Sequence, residues 1–157
     1  MKTRQSLRTY HAVMNDTPDL QHILATCRTV AVVGLSPKPH RESYDVARVM
    51  QSQGWRIIPV NPVAANSGDT ILGEKVYASL TEAAAHEKID LVNVFRNAED
   101  VPPVVMDAIA IGAPALWLQL GIRHDTALAQ ARASGMAVVQ DKCLKVEWAR
   151  RPATMRG

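Results

Sequence analysis

Two cysteines in 157 residues, Cys27 and Cys143, are too few for a disulfide scaffold, and neither has the spacing of a metal site. No apolar run is long enough to cross a bilayer, and Met1 to Tyr10 is too polar for a secretory signal, so neither a membrane nor export is expected and the cytoplasm is. Aromatic residues are scarce, with one Phe, three Tyr and three Trp. That scarcity removes the basic, ring-studded stripe on which bases stack, so nucleic acid is not an expected partner. Acidic residues are missing from both termini, where Lys2, Arg4, Arg8, Arg150, Arg151 and Arg156 stand. The formal net charge of +3 therefore arises at the ends, and the body between them is mildly acidic. Residues 1–15 and 150–157 read as flexible tails. Internal repeats, low-complexity tracts and linkers are absent as well, so residues 1–157 read as a single domain, long enough to bury roughly 70% of the unfolded surface.

What is present is an alternation of short, β-branched apolar runs with helical patterns. The runs are Val30 to Leu35, Arg56 to Val60, Leu91 to Phe95, Ala115 to Leu120 and Ala137 to Gln140. Between them the spacing predicts a helix from Ser43, its N-cap, to a stop at Gly54, and a short helix to about Lys88 opened by the capping pair Ser79 and Glu82. A further helix starts at Pro102-Pro103 and stops at Gly112, and another spans Thr126 to Ser134. A first helix, Pro18 to Cys27 with Thr17 as its cap, precedes them all, and Val63 to Lys75 reads as a loop turning at Gly68 and Gly73. Strands this apolar, alternating with helices, imply an α/β, Rossmann-like three-layer domain with a parallel sheet of about five strands. Any ligand then lies at the carboxyl ends of the strands. Trp55, Trp117 and Trp148 serve either the core or an interface between chains.

The first strand ends in Gly34-Leu35-Ser36-Pro37-Lys38-Pro39-His40-Arg41 and leads into a helix. Free N–H groups and a helix dipole at such a place favour an anion, and Lys38 and Arg41 add positive charge. A dinucleotide fingerprint would need two more glycines, and a Walker A motif is absent. The alternative is an ordinary strand-to-helix connection with solvated charges. At the end of strand two stands Asn61, where an NAD site usually carries an acid, so a phosphorylated ribose, as in NADP or coenzyme A, is permitted. Asn61-Pro62 serves equally well as a plain turn. The other strand ends, Phe95-Arg96, Gln119-Leu120-Gly121 and Asp141-Lys142-Cys143, share the same rim, which suits a long ligand with an anionic part and an apolar part.

These segments together resemble the small stand-alone CoA-binding proteins, whose fold is similar to the CoA-binding N-terminal domain of the succinyl-CoA synthetase α-subunit. The resemblance runs from about Val30 to Glu147. It is carried by Val-Val-Gly-Leu-Ser-Pro-Lys-Pro at 32–39, Arg41 with Ser43-Tyr44, Ile-Pro-Val-Asn-Pro at 58–62, and Gly-Glu-Lys-Val-Tyr-Ala-Ser-Leu at 73–80. Val-Phe-Arg at 94–96, Trp-Leu-Gln-Leu-Gly-Ile at 117–122, and Asp141-Lys142-Cys143 with Glu147 complete it. It implies that Gly34, Ser36, Lys38, Arg41 and Ser43 hold the phosphates of CoA or an acyl-CoA. Asn61 and Pro62 would lie by the adenosine, Phe95 and Arg96 beside the third strand's share of the ligand, and Gln119 and Gly121 nearer the pantetheine.

No catalytic set follows. The synthetase's chemistry needs a phosphorylatable histidine and a second domain, and no matching segment is present here. His11, His22 and His86 fall on helices or tails, while His40 and His124 have no partner placed by sequence to make either a base. Cys143, at the ligand rim beside Asp141 and Lys142, is the candidate for a reactive thiol that exchanges with the CoA thiol; the alternative is an inert buried cysteine. The expected function is thus binding of CoA or an acyl-CoA by a non-catalytic sensor, carrier or partner module, in which a homo-oligomer or a protein partner takes part. The rival is an enzyme, either an NADP-dependent oxidoreductase or an acyl-CoA-utilising catalyst completed at an oligomer interface.

Overall fold

The computed structural model describes residues 17–156. Along the chain run α1 (Thr17–Thr26), β1 (Thr29–Val33), α2 (Glu42–Ser52), β2 (Arg56–Val60), α3 (Pro62–Ser67), β3 (Thr70–Ile71), β4 (Glu74–Lys75) and α4 (Leu80–His86). They continue with β5 (Leu91–Val94), α5 (Val101–Ala110), β6 (Ala115–Leu118), α6 (Asp125–Ala133), β7 (Ala137–Val139) and α7 (Leu144–Ala149), with single 3-10 turns at Ala98–Asp100 and Ala153–Met155. Five strands form one parallel sheet in the order β2-β1-β5-β6-β7, and β3 and β4 make a separate antiparallel hairpin. The α/β, Rossmann-like fold expected from the alternating pattern is what these residues adopt.

The strands are buried on both faces, which is why they read as continuous apolar runs rather than alternating ones. On one face Val30, Val32, Ile57 and Trp117 pack against Ile23 and Leu24 of α1, Met50 of α2 and Trp148 of α7. On the other, Ala31, Val33, Val92 and Leu116 meet Leu80 and Ala83 of α4, Val101 and Val105 of α5, and Leu128 and Ala131 of α6. All three tryptophans are core residues. Trp117 donates its Nε1 to the carbonyl of Lys142 at 2.8 Å, and Trp55 meets Trp148 edge to face with ring centroids 5.4 Å apart. Among the described residues no helix is long and apolar enough to cross a membrane.

Several local expectations are corrected. Residues 63–75 are not a plain loop: Pro62, with its missing N–H and fixed φ, starts α3, and Asn61 caps it by accepting from the amides of Val63 and Ala64. Ser43 is not an N-cap. α2 already begins at Glu42, with Arg41 in the cap position, and Ser43 lies inside the first turn. His124 caps α6 through Nδ1, which accepts from Ala127 at 3.1 Å, so that helix starts at Asp125. α7, too short and mixed for a clear period, went unforeseen; Lys145 ties it to α2 by a 2.7 Å ion pair that, with Arg48, holds the Asp45 carboxyl below its usual range.

Residues 150–156 make contacts with the body of the domain. The Arg151 guanidinium lies 3.7 Å from the centroid of Trp148 and that of Arg28 4.8 Å from it, while Arg156 donates to the carbonyls of Ala149 and Arg151. Arg151, which also donates to the Trp148 carbonyl, and Arg156 thereby engage carbonyls that the end of α7 leaves without helical partners. The expectation of a tail at 1–15 lies outside the described residues.

Two tests follow from this packing. Gly34, at the end of β1, has φ +88°, and a Cβ there would overlap the carbonyl oxygen of Phe95 at the end of β5. Gly34→Ala should cost about 2 kcal/mol or more, read as a lowered urea midpoint; an unchanged midpoint would show that the strand ends can part freely. Cys27 is buried and burial pushes its thiol up to about 11, while Cys143 is 8% exposed in the same core cluster. At neutral pH both should react with a thiol reagent far more slowly in the native protein than after denaturation. Rapid labelling of native Cys143 would favour the reactive reading for that residue.

Candidate functional site

After β1 the chain crosses to β2 on one side, then returns to β5 on the other, so the carboxyl ends of β1 and β5 flank the point where strand order reverses. A cleft of about 930 Å³ opens there. One wall is the β1–α2 segment with Gly34, Ser36, Lys38, Arg41, Glu42 and Ser43. The second is the segment after β5, from Phe95 and Arg96 to Glu99, and the third is Leu120, Gly121 and Ile122 after β6.

The β1–α2 loop is held by its own small side chains. Ser43 Oγ accepts from the amide of Ser36 at 3.0 Å, and Ser36 Oγ accepts from the amide of Lys38 at 3.1 Å. Asn61 Nδ2 donates to the carbonyl of Leu35 at 2.9 Å, fastening the same loop to the end of β2. Pro37 and Pro39 lower the freedom that such a loop would otherwise lose on ordering. The loop is therefore preformed, with Lys38 and Arg41 exposed beside the first turn of α2.

The structure gathers Gly34, Ser36, Lys38, Arg41, Ser43, Phe95, Arg96 and Gly121 into this cleft. It sets the remaining residues singled out in the sequence elsewhere. Asn61 is a brace, with both ends of its side chain in use, and Pro62 lines a smaller notch of about 150 Å³ with Val33, Val60, Leu80 and Val104. Arg96 borders both spaces and so joins them. Gln119 lies behind the cleft, 1% exposed, with Oε1 accepting from Asn93 Nδ2 and from the amide of Leu144. Cys143 precedes α7 within the core and is not among the cleft's lining residues.

The amide of Gly121 donates to Asp141 Oδ1 at 2.7 Å, and Arg123 reaches Asp141 at 3.5 Å. Asp141 itself adopts φ +58°, a left-handed turn that aims its carboxylate back across the β6 end. The β6 and β7 ends are thus tied together, as β1 and β2 are tied by Asn61.

Sequence reasoning missed Glu42, Asn97, Ala98, Glu99 and Ile122 as cleft residues, and named Leu120 on the rim without a role of its own. Glu42 and Ile122 each neighbour a residue that was singled out, and adjacency to a strand end or a helix start is the signal that would have found them; Asn97, Ala98 and Glu99 continue the turn that leaves Arg96. Their arrangement gives the cleft two characters: Lys38, Arg41 and Arg96 face one region, while Phe95, Leu120 and Ile122 supply apolar surface toward β6. Leu120 is 57% exposed, a large apolar side chain at the cleft mouth.

Comparison with known proteins bears on the family and the fold. An uncharacterized protein of Bacillus subtilis, YneT, is 39% identical over 128 residues, which are 82% of this chain and 90% of that one. A solved Thermus thermophilus protein, cell-free ID.343, is 35% identical with a TM-score of 0.78, covering 87% of this chain and 98% of its own. A hypothetical protein of Pyrococcus horikoshii is 30% identical with a TM-score of 0.77, over 87% of this chain and 91% of that one. The dinucleotide forming acetyl-coenzyme A synthetase 1 of Candidatus Korarchaeum cryptofilum is like this chain in fold alone. It is 22% identical with a TM-score of 0.62 and shares 74% of this chain but 26% of its own. Residues 28–149, nearly the whole sheet and its helices, match the family described as CoA binding domain, and the chain belongs to that family.

Proposed function

We propose that this protein binds coenzyme A or an acyl-CoA in the cleft between the β1 and β5 ends, and acts as a non-catalytic sensor, carrier or partner module. The observation that carries the reading is the cleft itself: a preformed loop at the strand-order reversal, with Lys38, Arg41 and Arg96 around it, in a chain of the CoA binding domain family. The phosphates lie against the β1–α2 loop, where backbone amides and cationic side chains act together. Adenine enters the notch between Pro62, Val33, Val60 and Leu80, with Arg96 at the joint between the base and the phosphates. The pantetheine arm runs the other way, across Phe95 toward Leu120 and Ile122, whose exposed apolar surface it would cover.

In this arrangement Asn61 and Gln119 are positioning residues, since hydrogen bonds within the chain already engage their side chains. The Gly121 amide is likewise engaged by Asp141, so that glycine contributes a close backbone approach rather than a donor.

Ligand-induced thermal shift tests the assignment, because a ligand that prefers the native state raises its apparent stability. CoA and acetyl-CoA should raise the melting temperature, with NAD and NADP giving little shift; a shift specific to NADP would instead support an oxidoreductase. Lys38→Ala combined with Arg41→Ala should weaken CoA binding by roughly tenfold or more and flatten its dependence on salt, since exposed charge pairs are screened by ions. Retained affinity and salt dependence in that variant would move the phosphates away from this loop.

A further inference from the structure

Glu42 is out of keeping with the cleft it lines. Three cations, Lys38, Arg41 and Arg96, face the same space, yet Glu42 is the first residue of α2 and carries a carboxylate to the positive end of that helix. An anionic ligand would use the same end.

The placement has a scaffold behind it. Glu42 Oε1 lies 3.5 Å from Gln119 Nε2, a long contact whose direction is nevertheless set by the other partners of Gln119. The amide of Leu144 can only donate, so Gln119 Oε1 faces it, at 3.4 Å, and the Gln119 nitrogen is left to face Glu42. Asn93 Nδ2 donates to the same Oε1 at 3.4 Å and to the Trp117 carbonyl at 3.3 Å. Asn93 and Gln119 are each 1% exposed in the middle of an apolar parallel sheet, where unpaired amides would be costly. Together they turn an amide N–H toward the Glu42 carboxylate.

We propose that Glu42 is a specificity-determining residue, a built-in anion that competes with ligand phosphate for the α2 terminus and its cations and couples binding to proton uptake. The inference rests on the reading that this cleft takes CoA. With a polyanion bound, a carboxylate at the same helix end either repels it or takes up a proton. The bound state then holds more protons than the free one, so affinity rises as pH falls.

The other charged and polar groups facing Glu42 are the cations Lys38 and Arg41 on the loop and Arg96 after β5, the carboxylate Glu99 on the β5 wall, and the neutral amide Gln119 after β6. His40 is the one histidine in the loop, exposed and off the cleft lining. The phosphate monoester of CoA also titrates, near pH 6, so the response due to Glu42 is read as the difference between the wild type and the Glu42 variants at each pH.

Calorimetric titration of CoA at about pH 7.5 and about pH 5.5, with the wild type, Glu42→Gln, Glu42→Ala and His40→Asn, decides the matter. Glu42→Gln and Glu42→Ala should bind CoA roughly fivefold tighter at the higher pH, with a smaller gain on acidification than the wild type, while His40→Asn keeps the wild-type gain. Equal or weaker binding by both Glu42 variants, or loss of the gain in His40→Asn alone, overturns this inference and leaves the CoA reading standing. Failure of the wild type to bind CoA at either pH removes the CoA reading and the inference with it.

Discussion

The contact on which the rest of the molecule depends is the approach of Gly34 to the carbonyl of Phe95. β1 and β5 are hydrogen-bonded neighbours, yet the chain visits β2 between them, so their carboxyl ends must turn away to opposite destinations at nearly one point. A side chain at Gly34 would hold the two turns apart. Without one, the β1–α2 loop can lie against the β5 end, and the bonds that stiffen it fall into place. Ser43 then reaches the Ser36 amide, and Asn61 reaches the Leu35 carbonyl. Steric economy at one residue thus precedes the electrostatics of the whole cleft.

How much of this could be read from the residues differs by scale. All five sheet strands and the helices α1, α2, α4, α5 and α6 were legible, because burial on both faces leaves continuous apolar runs bounded by caps and glycine stops, whereas α7, six residues long, was not. Asn61-Pro62 was read as the end of β2 but not as the start of α3; a six-residue helix is too short to show a period, and its cap and proline are equally the marks of a turn. Ser43 was given the wrong local role for a related reason. A serine near a helix start fits an N-cap, and the tertiary bond that claims its hydroxyl comes from Ser36, seven positions earlier.

The site divides in the same way. Phe95 and Arg96 follow the end of β5 directly, and Lys38 and Arg41 lie on the loop that leads from β1 to α2, so all four were legible from topology. Gln119 also follows a strand end, but one more residue of alternation turns it inward, where it joins Asn93 beneath the cleft. A polar residue on a buried strand is ambiguous in sequence because ligand contact and internal bracing favour the same side chain. Burial is what separates them, and the cleft is left with side chains that are free on its surface and others that are spent on support.

The arginine clasp on Trp148 has a consequence for handling the molecule. α7 leaves the carboxyl edge of the sheet at Cys143 and runs back until Trp148 meets Trp55 and Arg28, which precede β2 and β1. Residues 149–156 therefore finish at the amino edge of the sheet, a strand's length of roughly 17 Å from the cleft. A tether attached after residue 156 would draw away from the cleft, so immobilising the protein there leaves the cleft facing solution, and any loosening caused by the tether reaches the tryptophan pair before it reaches the β1–α2 loop.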